Sequence, residues 1–202
     1  ELEKLAAQGD NPEIKRDALW QSAELYVRSE RPQDALRIFQ QYAQQYPQPL
    51  TDAVEAHQRI ADLYAQRGDT NQQQQWLAQL VAAEQKGGAA RNDRTRFLAA
   101  HAALNLAQTR YDDFARAKLT RPLEASLKLK KKAMEDALQA YRQAADYGVA
   151  GVTTAATHHT AEIYAEFGAA LLDSERPAGL SELELEQYNV LLEEQAYPFE
   201  EQ

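Results

Sequence analysis

Four histidines, no cysteine and a few adjacent carboxylates are the residues from which this chain could build a reaction centre. Without cysteine there is no thiolate ligand, no disulfide and no thiol nucleophile, while the redox compartment stays open. His158 and His159 are neighbours, so on a helix they point about 100° apart and cannot grip one metal as an i, i+4 pair does. His57 and His101 stand alone, without a carboxylate at ligand spacing, and read as packing or hydrogen-bonding residues. Asp112-Asp113, Glu193-Glu194 and Glu200-Glu201 diverge in the same way, whereas acid-base chemistry needs two carboxyls facing one cleft. No phosphate-binding loop, G-x-S-x-G elbow or glycine-rich dinucleotide turn is present, and Gly87-Gly88 reads as a loop. The expectation is no enzyme, no cofactor and no metal.

Charge is the more informative chemistry. Lys118, Arg121, Lys128, Lys130, Lys131 and Lys132 face a single acid between them, Glu124, on a chain whose formal net charge is −9. A basic knob on an acidic body suits an acidic partner or anionic lipid headgroups, where each basic residue adds about 1 kcal/mol; a solvated lysine face has the same composition. From Asp173 to Gln202 the sign reverses, with nine acids against Arg176. That segment would attract the basic knob of a neighbouring repeat or of a second copy, so a homo-oligomer is one expectation. Nucleic acid is not, because the balance is acidic and no aromatics interleave the lysines.

The elements carrying these residues follow from composition and period. At 202 residues, 44% hydrophobic and 26% charged, the chain is long enough to bury a core and has no run apolar enough to cross a membrane. Only 8 glycines and 7 prolines punctuate a sequence filled with good helix formers, so the chain is read as all-α. It opens on Glu1-Leu2-Glu3 without an initiator methionine, as a piece of something longer would.

Small and large residues alternate at helical spacing. Ala23, Tyr26, Ala35 and Phe39 follow one another so that two antiparallel helices would interlock, with Arg31-Pro32 at the turn and Pro47 at the end. Ile60-Ala61 and Tyr64 repeat Ser22-Ala23 and Tyr26, and Gly68-Asp69 turns into a helix holding Trp76, Leu77 and Leu80; Gln73 replaces the usual small residue. This resembles the tetratricopeptide repeat, a helix-turn-helix unit of about 34 residues whose copies stack into a superhelix. The expected architecture is an α-α superhelix, a solenoid with one elongated helical hairpin. Its parts are the tail of an upstream repeat (1–9), a repeat (12–47), a degenerate repeat (51–85), the long hairpin (93–147) and a C-terminal helix pair (153–202) continuing past Gln202 with Pro198 as a kink or restart.

The hairpin rests on two stripes: Phe97, Ala100, Leu104, Ala107, Tyr111 and Phe114 at three and four residues, then Leu127, Met134 and Tyr141 every seventh. Thr120-Arg121-Pro122 separates its arms and Gly148 to Gly151 closes it. Thr153 is the expected N-cap of a helix with Ala161 and Tyr164 in the repeat positions, and Ser181 to Glu184 is a capping box before a stripe of Leu185, Tyr188 and Leu192.

In the tetratricopeptide family the first helix of each pair lines the concave side. Matched positions put Trp20, Glu24, Val27 and Arg28 there, then Gln58, Asp62 and Gln66, then His158, Glu162 and Glu166, a mixed and somewhat acidic groove. It would suit a peptide with basic and apolar anchors.

Wording in the C-terminal half is more specific: Arg94 to Ala100, Ala145 to Val149, Leu171 to Pro177, and Leu192 to Glu201. These stretches resemble large proteobacterial tetratricopeptide-repeat proteins labelled as components of TonB systems. The resemblance implies a periplasmic, non-enzymatic protein-interaction scaffold associated with TonB, ExbB and ExbD-type energy transduction, and transfers no catalytic residue. The helical, non-catalytic region of an envelope enzyme and a self-assembling structural protein are the alternatives, and a cytoplasmic location is the alternative to the periplasm.

Overall fold

The computed structural model describes residues 1–8 and 11–200, the last three of these by backbone alone. Its helices, in chain order, are α1 (Leu2–Gln8), α2 (Pro12–Arg28), α3 (Pro32–Gln45), α4 (Leu50–Gln66), α5 (Thr70–Gln85), α6 (Asp93–Arg116), α7 (Leu123–Ala145), α8 (Ala150–Leu172) and α9 (Glu182–Glu200). The protein is all-α, with no strand among the described residues. None of these helices is long and apolar enough to cross a membrane. Packing divides the chain into two units, Glu1–Ala102 and Ala103–Gln202, and the division falls inside α6.

Unit 1 is built from local stop and start signals. The Asn11 side chain accepts from the backbone N–H of Glu13 at 2.8 Å, and Pro12 occupies the first helical position, where an N–H would have had no partner. α2 ends at a residue in the left-handed region, Glu30 with φ 56°, and the chain turns back on an Arg31 N–H to Tyr26 carbonyl bond of 2.9 Å. The α4–α5 turn does the same with Gly68 at φ 72°, after which the Asp69 carboxylate accepts from the Gln72 N–H at 3.1 Å. Consecutive helices α1 to α5 pack pairwise. Leu19, Ala23, Ala35, Phe39 and Ile60 form the centre of the core, and Tyr26 and Tyr64 lie half-buried against it. Burying Phe39 completely contributes about 2–3 kcal/mol. Gly87 is required by close approach: a Cβ there would stand 2.3 Å from the Leu50 side chain.

Unit 2 holds the end of α6 with α7, α8 and α9. Phe114, Met134, Tyr141, Ile163 and Phe167 fill its core, and Leu127 packs against it, so the seven-residue stripe of α7 points inward. The Ser181–Glu184 capping box forms in both directions, Ser181 N–H to Glu184 at 2.8 Å and Glu184 N–H to Ser181 at 3.4 Å.

Four expectations are corrected. Phe97 is 43% exposed and its ring meets that of His101 at 4.4 Å in a tilted contact, so it stands outside the inward stripe of α6, of which Leu104, Ala107, Tyr111 and Phe114 join the unit 2 core. Thr153 is not a cap: Gly148, at φ 70°, reverses the chain early enough for α8 to begin at Ala150 with Val149 as its cap. Ala161 is exposed, whereas Ala23 and Ala61 are buried, because α8 turns Val152, Ala156, Ile163 and Phe167 inward. Its register therefore does not repeat that of α2 and α4. In α9, Leu192 and Ala196 face inward while Leu185 is 37% exposed. α9 runs through Pro198 to Glu200, and continuation past Gln202 lies outside the described residues, as does the expected boundary at Gly9.

Candidate functional site

The basic segment divides by burial. Lys118, Lys128 and Lys131 are exposed, and Lys132 and Arg121 are exposed but paired, Lys132 with Asp136 and Arg121 with Glu175 at 3.1 Å. Lys130 cannot serve as a docking lysine. It is 5% exposed and its ammonium group donates to the carbonyls of Phe114 at 3.2 Å and Ala117 at 2.9 Å, over the Phe114 ring. Those carbonyls lie at the C-terminal end of α6, where the helix dipole is negative and backbone donors run short, so a lysine from the second turn of α7 is drawn in as a cap. Burial lowers its pKa. Leu129, 69% exposed, lies among the outward lysines.

The residues expected on the inner face of α2 and α4 are partly brought together. Glu24 pairs with Arg59 at 3.2 Å, joining the two helices, and Gln58 donates to Asp62 at 2.8 Å within α4. Val27, Arg28, Asp62 and Gln66 are exposed. Trp20 is only half-buried: its ring meets Phe39 and Tyr42 edge-on at 5.2 and 5.1 Å. It walls a cleft of about 250 Å³ lined by Asp17 and Gln21 of α2, Tyr42 of α3, and Asp52 and Glu55 of α4. Burial pushes the Tyr42 phenol up to about 12, with Asp52 adding to it. Glu55 is held by Arg94 at 2.5 Å and Asp17 lies 3.5 Å from Arg16. This cleft was only one residue deep in the sequence: Trp20 was legible as a face residue, but Tyr42 and Asp52 arrive from two other helices.

His158, Glu162 and Glu166 belong to a polar and aromatic cluster in unit 2. Glu162 contacts both histidines, His158 at 3.3 Å and His159 at 2.7 Å, and Glu166 accepts the Tyr111 hydroxyl. His159 stacks on Tyr141 at 5.0 Å, and Tyr141 donates to Gln108 at 3.2 Å. The hydrogen bond to Glu166 raises the pKa of Tyr111, and burial raises that of Tyr141 to about 12. A histidine oriented by a carboxylate is the base of a nucleophile-activating triad, but no Ser or Thr hydroxyl among the described residues bonds to His159. The two phenols, with pKa values pushed away from neutrality, are poor acid-base catalysts at pH 7. The cluster ties α6, α7 and α8 together. No group of three or more His, Asp or Glu side chains among the described residues could hold a metal ion.

His57 is partly buried against Trp76 at 5.4 Å, its Nδ1 without a hydrogen-bond partner, and burial lowers its pKa to about 4. Glu84 is fully buried and takes Arg91 at 2.7 Å, an ion pair that no spacing rule flags. The chain matches no protein-family model, no curated protein and no solved structure.

Proposed function

We propose that this protein is a non-enzymatic interaction scaffold that holds a peptide or helix of a partner against the exposed face of α2 and α4. The observation that carries this reading is the aromatic cleft at Trp20, lined by the carboxylates Asp17, Asp52 and Glu55, on the same two helices that expose Val27 and Asp62. Such a surface offers what helical-hairpin scaffolds use, an apolar anchor site with polar groups around it. The helix-turn-helix alternation of α2 to α5 supports a tetratricopeptide-like superhelix as the framework, since stacked hairpins extend binding surface while each contact remains local. The residue wording of the C-terminal half adds a periplasmic setting and a partner from a TonB, ExbB or ExbD-type apparatus.

The test is selection of displayed peptides on the immobilised protein, followed by binding to a Val27→Asp, Asp62→Lys variant. Both positions are exposed, so the fold is retained. We expect enriched peptides with apolar and basic anchors whose binding falls about tenfold or more in the variant. Failure to enrich any sequence, or binding indifferent to the variant, overturns the reading. Soluble periplasmic domains of TonB and ExbD, titrated in the same format, test the partner class.

A further inference from the structure

We propose that the cleft between Trp20 and Tyr42 receives a single arginine side chain of the partner, its guanidinium lying among Asp17, Asp52 and Glu55 and donating to the Tyr42 hydroxyl. This rests on the scaffold reading and narrows it to one chemistry. The Tyr42 side chain is 2% exposed and lines the cleft, yet its hydroxyl has no hydrogen-bond partner among the described residues. The hydroxyl is open to the cleft and not sealed in the core, so a ligand donor can take the place of water on it. Around it stand three carboxylates against two resident guanidinium groups, Arg16 beside Asp17 and Arg94 on Glu55, which leaves one negative charge in excess. Asp52 is the carboxylate without an ion pair among the described residues, and it is close enough to Tyr42 to raise its pKa.

Size and shape select the ligand. About 250 Å³ is room enough for one side chain entering from solvent. A guanidinium brings five N–H donors in one plane, sheds water more readily than an ammonium group and stacks on aromatic walls; an ammonium group does none of these as well. Its stem would lie against the Trp20 indole, with its head at Asp52 and Tyr42.

The experiment is a titration of the ¹⁵N-labelled protein with capped Gly-Arg-Gly, read at the Trp20 indole N–H and assigned by comparison with Trp76→Phe. Capped Gly-citrulline-Gly and Gly-Lys-Gly are the neutral and ammonium comparators. We expect a saturable shift with arginine, at least about tenfold weaker with citrulline and weaker with lysine. Asp52→Asn and Tyr42→Phe should each weaken arginine binding several-fold, while Tyr42→Phe leaves the unfolding midpoint nearly unchanged because the lost hydroxyl had no partner. Glu186→Gln, an exposed position in unit 2, serves as a surface control with unchanged affinity. No saturable shift, citrulline or lysine binding as tightly as arginine, or an Asp52→Asn protein of native midpoint and unchanged affinity would overturn the proposal. Selected peptides that bind independently of Asp52 sink this site and leave the scaffold standing; arginine binding with no selectable peptide does the reverse.

Discussion

The Lys130 ammonium group sits at the C-terminal end of α6, and its removal takes a charged donor from the carbonyls of Phe114 and Ala117. Lys130→Met keeps the stem packed and deletes the charge, so we expect a loss of about 1–3 kcal/mol in urea unfolding, against less than about 0.5 kcal/mol for exposed Lys128→Met. Equal effects would show that the cap contributes nothing. His57 gives a pH-dependent counterpart. Its folded pKa, about 4, lies below the unfolded value of about 6.5, so between these values the unfolded chain binds more protons and stability rises with pH. The stability present above pH 6.5 is lost as pH falls toward 4, by about 2 kcal/mol at pH 5. His57→Phe should remove that part of the difference between unfolding at pH 7 and pH 5, with Trp76 as its aromatic neighbour in both proteins. A variant with the wild-type pH slope would place the titration elsewhere.

At the scale of elements, turn geometry and side-chain clamps fix where helices end. Glu30 holds the left-handed position after α2, which glycine fills at the α4–α5 turn, and nothing in the fold requires its side chain. Glu30→Gly should therefore stabilise unit 1 by roughly 0.5–1 kcal/mol, measured by the midpoint of Trp fluorescence, since Trp20 and Trp76 both lie there. A lower midpoint would mean that the greater unfolded-chain entropy of glycine dominates. The α8–α9 junction depends on Arg176, whose guanidinium donates to the Leu172 carbonyl at 2.8 Å, to the Ser174 carbonyl and to Asn189 at 2.6 Å. Arg176→Met should speed amide hydrogen exchange across α9 while leaving α2 to α5 unchanged. Unaltered protection of α9 would show that Leu192 and Ala196 suffice to hold it.

At the scale of the whole molecule, a net charge of −9 raises the local concentration of basic segments, and exposed charges are screened over about 8 Å at physiological ionic strength. Arginine-peptide affinity should therefore fall several-fold between 50 and 500 mM salt on an order-of-magnitude basis, and a flat salt response would argue for apolar anchoring alone. Composition and period were enough for the all-α class and for the inward stripe of Leu127, Met134 and Tyr141, because helix propensity and 3.6-residue amphipathicity are properties of neighbouring residues. The Ser181 capping box and the Asn11-Pro12 helix start are equally local. What sequence could not fix is the rotation of each helix about its axis: α8 turned Ala161 outward where spacing alone put it inside, because four bulkier or better-placed residues compete for the same core. Nor could it place Lys130, since whether a long basic side chain meets water or a helix end depends on the neighbour's terminus. The Trp20 cleft is of that kind too. Its walls come from three helices separated by up to about forty residues, and only tertiary packing decides which distant carboxylate and which unpartnered phenol share one space.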